Sequence, residues 1–277
     1  MGKLKNELRK ALFYGILKFN KKYKSNRVTW IAFDFFYYSF KFLLKIVFGK
    51  KIKDKIIERL GFEKIITIVN LPDGKVYSRI EDRGIIEEIY DMKTYDGIPI
   101  ESNNPILDLG AHIGLFSLKF AKISEGKIYS FEPSKESFNI LKRNIMTNSV
   151  KNVEVFNLAV SDKVGVLKLF LHKYSAANSL LAESNKFIKI KSTTLGDFIK
   201  RKKIKKIELI KVDIEGSEYG VLKSSINVLK KTSKVILELH EDILSKEQIK
   251  EIENIFEGLE FKKKMIIQEP KMIYYYK

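Results

Sequence analysis

Cysteine is absent from this chain of 277 residues, and histidine occurs only at His112, His172 and His240. The first absence excludes a disulfide framework, a thiolate zinc site and a cysteine nucleophile. It fits a reducing compartment such as the cytoplasm. The second leaves little room for a histidine-rich metal site. No internal repeat is present, and no G-x-G-x-x-G turn of the kind that seats a dinucleotide pyrophosphate. Long uncharged apolar runs are missing as well. The most apolar stretch, residues 28–48, is interrupted by Asp34, Lys41 and Lys45. On a helix turning 100° per residue these charges fall within roughly 40° of one another. The stretch therefore reads as a helix with a narrow polar stripe rather than a membrane span. It would lie at a membrane interface or cover the domain that follows. It starts too late for a signal peptide, and no small-residue cleavage site follows it.

What is present is a hydrophobic content of 45%, ample for a core, and a net charge of +18. The charge is uneven. Residues 1–64 hold 17 Lys or Arg against 5 Asp or Glu, so +12 of the +18 lies there. Leu4, Leu8, Leu12, Ile16 and Phe19 fall at helical spacing among those basic residues. Eight Phe, Tyr or Trp lie between Trp30 and Phe42. A basic aromatic extension points to an anionic surface as partner. Membrane lipid and nucleic acid both qualify on charge alone. Peripheral attachment at the inner face of a membrane is one expectation, and the division of the chain is another. Residues 1–64 are expected to form a basic amphipathic helical extension. Residues 65–103 are expected to form a hairpin and helix leading into residues 104–277, the core domain. Two β runs, 65–70 and 75–80, flank Leu-Pro-Asp-Gly and read as the hairpin. Residues 85–90 read as helix.

Residues 104–133, NPILDLGAHIGLFSLKFAKISEGKIYSFEP, form the richest segment. An apolar strand runs to Asp108, a glycine turn follows at Gly110 and Gly114, then a helix, then a strand ending at Glu132. The rhythm continues with a helix at 135–148, a strand at 153–160, a hairpin arm at 165–171 and a short helix at 195–200. A strand at 207–212 ends at Asp213, and a helix occupies 217–229. A strand at 235–239 ends at His240, a helix occupies 246–256, and a last strand is expected at 271–276. Alternating strands and helices predict an α/β fold with a mostly parallel sheet and helices on both faces.

Ligands of open α/β sheets bind beyond the carboxyl ends of the strands. Gly110 permits a sharp turn and close approach there. Glu132, 22 residues beyond Gly110, can accept hydrogen bonds from both ribose hydroxyls. Asp108 suits a cationic ligand, and S-adenosyl-L-methionine carries an ammonium and a sulfonium where a dinucleotide carries phosphates. A second set of strand ends supplies Asp213, Glu215, Glu238 and His240 for acid–base work. Asp213 and Glu215 point to one side if the strand continues that far, and Glu238 and His240 share a strand side. Those four groups would also suit Mg²⁺, which is not expected as a cofactor. Glu218 reads as a first-turn carboxylate on the helix dipole. His172 reads as a surface residue.

The pieces ILDLGAHIGLFSL, IYSFEPSKESFNILKRN, VFNLAVSDKVG, TTLGDFI, IKVDIEGSEYGVLKSS and VILELHE follow one another from Ile106 to Glu241. In this set the chain resembles the FkbM family of S-adenosylmethionine-dependent methyltransferases, over roughly half its length. The resemblance implies a Rossmann-like class I methyltransferase fold and methyl transfer to hydroxyls of sugars or other small metabolites. It implies cofactor contacts at Asp108, Gly110, Ala111, Gly114 and Glu132, with the stretch 158–162, including Asp162, near the adenine. It draws catalytic attention to Asp213, Glu215 and His240. Many relatives carry Asn where this chain has His112. A small-molecule or lipid-linked glycan acceptor is expected, presented at a membrane by the basic extension. The runner-up is a ribose methyltransferase of RNA that uses the extension for phosphate contacts. Nucleic acid is the less favoured partner: the Asn-Pro-Pro-Tyr type of tetrapeptide used for base amines is absent, as is a cysteine for pyrimidine carbon.

Overall fold

The computed structural model describes residues 66–172, 175–182, 184–267 and 271–277. The basic extension at 1–64, with the helices expected at 4–19 and 28–48, lies outside the described residues. The chain divides into two compact units, Met1–Asn70 with Val76–Arg83, and Leu71–Lys75 with Gly84–Lys277. Among the described residues, no helix is long and apolar enough to cross a membrane.

Strand β1 (Ile66–Leu71) pairs with β2 (Gly74–Arg79) in a two-stranded sheet, the hairpin predicted around Asp-Gly. A 3-10 turn at Ile80–Asp82 follows, closed by an ion pair of Arg79 with Asp82 at 2.9 Å. The second unit includes the chain from Gly84 onward, so it holds the rest of the helical turn α1 (Arg83–Ile86) and the π-helical turn that follows, Glu87–Asp91.

The second unit is built on a seven-stranded sheet. In chain order come β3 (Ile106–Leu109), α2 (Leu115–Ala121), β4 (Ile128–Phe131), α3 (Lys135–Thr147) and β5 (Val153–Phe156). Next are β6 (Ala159–Val160), β7 (Gly165–Phe170), β8 (Phe187–Thr193), α4 (Leu195–Lys202) and β9 (Ile207–Val212). Then follow α5 (Glu218–Ser224), α6 (Ile226–Leu229), β10 (Thr232–Leu239), α7 (Lys246–Gly258), β11 (Lys262–Ile267) and β12 (Lys271–Tyr276). The sheet order is β11-β12-β10-β9-β3-β4-β5, with β10 through β5 parallel and the β12 and β11 edge antiparallel.

Strands β3, β4 and β9 are buried along their whole length, which explains runs as apolar as ILDL and IYSF. Leu107, Leu109, Ile210, Val212 and Val235 of the sheet pack with Phe198 of α4, Leu222 of α5 and Phe256 of α7. Phe256 also stacks on Tyr275 of β12, with centroids 3.8 Å apart. From β3 the chain steps outward to β4 and β5, then returns to lay β9 on the other side of β3. The order of strands reverses at β3, and a crevice opens at the carboxyl ends there.

Several elements differ from the sequence reading. The strand expected at 153–160 is two strands in different sheets, since β6 belongs with β7 and β8. Asn157 breaks it: its amide donates to the carbonyl oxygens of Glu132 and Pro133, both at 2.9 Å, and ends β5 at Phe156. The helix expected at 217–229 breaks at Ser225, where the Ser224 hydroxyl bonds back to Val221 O and Ser225 leaves helical geometry. Two strands, β8 and β11, were not anticipated. β8 is exposed along one face, β11 is exposed over most of its length, and both are rich in lysine, so neither shows an apolar run. Thr194 caps α4 by accepting from Asp197 N at 3.1 Å.

Candidate functional site

Two cavities invite comparison. The larger, about 470 Å³, is lined by Asp162, Lys168, Ser217 and Gly220, among others. The smaller, about 180 Å³, lies at the carboxyl ends of β3, β4, β9 and β10 and gathers five carboxylates: Glu88, Glu132, Asp213, Glu215 and Glu238. Chemistry outweighs size, because converging titratable groups are what a reaction needs.

One side of the smaller cavity is the turn after β3. Gly110 has φ 79°, and a Cβ on it would stand 1.8 Å from the backbone oxygen of Asp213. Only glycine fits, so the turns after β3 and β9 touch through bare backbone. Gly110 N and Ala111 N donate to Phe131 O at 3.1 and 2.9 Å. His112 adopts φ 49°, a strained conformation for a side-chain-bearing residue. Its N–H thereby reaches Glu132 Oε2 at 2.9 Å, while Ser134 N–H donates to Oε1 at 2.8 Å. Glu132 is thus gripped at the end of β4 through both of its carboxylate oxygens. Phe131, Leu158 and Val160 supply apolar wall beside it.

Three expected cofactor contacts fall elsewhere. Asp108 is completely buried and does not line the cavity. Its position in β3 turns the carboxylate into the interior, where Ser117 Oγ donates to it at 2.5 Å and Lys211 Nζ stands 3.7 Å away. Gly114 starts α2 with φ 90°, and a Cβ there would meet Leu141 Cδ1 at 2.4 Å. Its bare Cα lets α2 pack closely against Leu141 of α3, and it does not line the smaller cavity. Asp162 lines the larger cavity, because β6 ends at Val160 and the chain turns toward α5 at Gly220.

The other side of the cavity comes from β9, β10 and the turn between β9 and α5. Lys211 and Asp213 lie two apart on β9 and beyond its end, and Lys211 Nζ donates to Asp213 Oδ2 and Gly110 O, both at 2.9 Å. Burial pulls Lys211 down, but Asp213 and Asp108 outweigh it and hold the ammonium above its usual range. Glu215 sits at φ 53° before Gly216 at φ 96°, so the turn doubles back and aims its carboxylate inward. Glu238 reaches in from β10. Burial, then the charges of Asp213 and Glu88, push its carboxyl up to about 9, so it is a neutral hydrogen-bond donor at pH 7. Burial likewise raises Glu215 against the opposing pull of His240.

His240 does not line the cavity. It stands behind the carboxylates, with Nδ1 2.8 Å from Glu218 Oε1 and Nε2 3.3 Å from Glu215 Oε2. Nε2 is 4.0 Å from both Asp213 and Glu238. Burial lowers its pKa, but Glu215 and Glu218 raise it to about 11, so it stays an imidazolium at neutral pH. Glu218 is more than a carboxylate on a helix dipole. It is fully buried and also accepts from Gly216 N at 3.1 Å and Ile214 N at 3.3 Å. His172 is half-buried and bonds Ala182 O at 2.9 Å, away from this cavity. Asp213, Glu238 and His240 offer atoms within 4.8 Å of one another, the spacing of a metal site. Lys211 Nζ also stands against this group, 2.9 Å from Asp213 Oδ2.

Sequence reading had not assigned roles to Lys211 or Glu88 and had set Glu218 aside. A lysine inside the buried run IELIKV was the available signal for the first. Glu88 gave none, since a lone carboxylate on a short helix looks like solvated surface.

The family model for the methyltransferase FkbM domain matches residues 108–263. Methyltransferase sdnD of Sordaria araneosa is 30% identical over 180 residues, 53% of this chain and 70% of that protein. The 31-O-demethyl-FK506 methyltransferase FkbM of Streptomyces tacrolimicus is 24% identical over 197 residues, 57% of this chain and 75% of that protein. Hexuronic acid methyltransferase AglP of Haloferax volcanii is 23% identical over 150 residues, 54% of this chain and 62% of that protein.

Proposed function

The chain belongs to the methyltransferase FkbM domain family, and on that premise we propose that it transfers the methyl group of S-adenosyl-L-methionine to a hydroxyl of a sugar, glycan or related small metabolite. One observation carries the reading: the glycine turn with Glu132 and the carboxylates of β9 and β10 face each other across one cavity. The names of two relatives, a 31-O-demethyl methyltransferase and a hexuronic acid methyltransferase, support oxygen as the acceptor atom.

The residues present fit this donor. Gly110, Ala111 and the N–H-gripped Glu132 would hold the nucleoside, and Phe131 and Leu158 would flank the adenine. When bound, S-adenosyl-L-methionine supplies a methyl group made electrophilic by its sulfonium. Asp213, in the cavity wall and paired with Lys211, accepts the acceptor hydroxyl's proton as oxygen attacks. Glu238, neutral at pH 7, donates a hydrogen bond and orients the acceptor. Glu215 completes the wall. His240, gripped by Glu218, acts as a positioning cation behind all three. The basic extension, with +12 of the chain's +18, suits an anionic membrane surface where a lipid-linked glycan would be presented. Binding to vesicles containing phosphatidylglycerol but not to phosphatidylcholine vesicles tests that part, and salt-steep binding to RNA instead would overturn it.

Calorimetric titration with S-adenosylhomocysteine tests the donor site. We expect one site per chain, weakened by about 1.5 kcal/mol or more in Glu132→Ala, as for loss of charge-assisted hydrogen bonds. A folded wild type that binds nothing would sink the reading.

A further inference from the structure

Glu88 lies outside the residues matched by the family model, yet its side lines the same cavity as Asp213 and Glu238. Its placement is built into the fold. Thr94 Oγ1 donates to Glu88 O at 2.8 Å, tying the π-helical turn, and the Tyr95 hydroxyl donates to Glu88 Oε1 at 3.3 Å. Tyr95 is itself buried, with its ring edge-on to Phe116 and Phe120 of α2 at 5.1 and 6.5 Å. A carboxylate so held faces a ligand with little freedom to withdraw.

The charges around it are unequal. Glu88, Glu132, Asp213, Glu215 and the neutral Glu238 line the cavity, Lys211 is the only Lys or Arg among the described lining residues, and the His240 imidazolium stands outside the lining, engaged by Glu215 and Glu218. Lys211 is already committed to Gly110 O and Asp213 at 2.9 Å, with Asp108 at 3.7 Å. An anionic group entering here would lose its water and meet, among the described lining residues, no Lys or Arg that is not already engaged. A hydroxyl or an ammonium would meet acceptors on several sides. Burial, then the charge of Asp213, raises the Glu88 carboxyl above its usual range against the opposing pull of Lys211 and Tyr95. The donor, with an ammonium and a sulfonium against one carboxylate, is a net cation and suits the same field.

We propose that the part of the acceptor entering this cavity is a neutral or ammonium-bearing polyol, that anionic acceptors are excluded, and that Glu88 is the residue that discriminates between them. The proposal rests on the methyltransferase reading above. It sets this chain apart from a relative named for a hexuronic acid, which is anionic at neutral pH.

The test uses three ring-matched probes: methyl glucoside, methyl glucosaminide and methyl glucuronide. Each is titrated by ligand-observed NMR against the full chain loaded with S-adenosylhomocysteine, as wild type, Glu88→Gln and Glu88→Lys. The glucoside and glucosaminide are expected to bind wild type, and the glucuronide roughly tenfold more weakly or worse, the effect of like-charge juxtaposition. Glu88→Gln should narrow that gap and Glu88→Lys should reverse it, each compared at saturating S-adenosylhomocysteine. Equal binding of glucuronide and glucoside to wild type would overturn the proposal. So would an unchanged ratio in Glu88→Lys, or no binding of any glycoside to the loaded protein. Failure to load S-adenosylhomocysteine at all would instead overturn the methyltransferase reading.

Discussion

Strands β9 and β10 carry a buried ionic cluster at each end, and the two clusters are built on opposite plans. At the amino end, Lys234 Nζ pairs with Glu208 at 2.5 Å and Glu101 at 2.7 Å. Glu208 also accepts from Glu101 N at 3.0 Å and from the Ser102 hydroxyl. Burial pushes Glu208 up, but these donors outweigh it and hold the carboxyl below its usual range. That cluster is saturated. At the carboxyl end, Lys211 and His240 face Asp108, Asp213, Glu215, Glu218, Glu238 and Glu88. Oδ1 of Asp108 and Oε2 of Glu218 are buried without a hydrogen-bond donor. Asp108, Glu215, Glu238 and Glu88 are all raised, with burial the leading cause in each. A sealed cluster stabilises a fold. An under-neutralised one, open to a cavity, keeps proton affinity and field in reserve for a ligand.

The contrast can be broken at its strongest point first. Lys211→Met leaves Asp108 and Asp213 without their cation, and should destabilise the chain by about 3–5 kcal/mol in chemical denaturation. A loss below about 1 kcal/mol would mean the two carboxylates are neutral without it. Glu238 tests the reserve of proton affinity. Its folded pKa of about 9 exceeds the ordinary 4.5, so the folded chain binds that proton more tightly than the unfolded chain. The resulting stability is complete below pH 4.5 and is lost as pH rises through 9. Glu238→Gln should therefore flatten the dependence of stability on pH across that window. Denaturation curves with the same slope in both proteins would remove Glu238 from the account. His240 contributes in the same direction, over a window that extends up to about 11. The smallest effect belongs to the sealed end. Glu101 is 71% exposed, so Glu101→Gln should change stability by about 0.5 kcal/mol or less and leave S-adenosylhomocysteine affinity unaltered.

The same contrast bears on what was legible beforehand. The strands β3, β4, β9 and β10, and the titratable residues at or near their ends, could be read from apolar runs that stop at a polar residue. Periodicity reports burial of whole elements, so it found those. It could not tell that Asp108 turns inward while Asp213, past the end of a neighbouring strand, faces the cavity. Nor could it tell that His240 stands behind its neighbours. Such distinctions depend on one side chain's direction, which Ser117 and Lys211 decide through contacts 9 and 103 residues away in sequence. Glu88 was illegible for a different reason: its partner Tyr95 is placed by Phe116 and Phe120, across a stretch with no periodic signal.

Gly110 has one more consequence. The turn that would carry the methyl donor rests directly on the carbonyl of Asp213, the residue proposed to take the acceptor's proton. The gap between the two halves of the reaction is therefore set by the thickness of a bare peptide. No side chain that drift could lengthen or trim intervenes. Loops around the mouth can diversify to admit new acceptors, while the ruler between donor and base stays the same length.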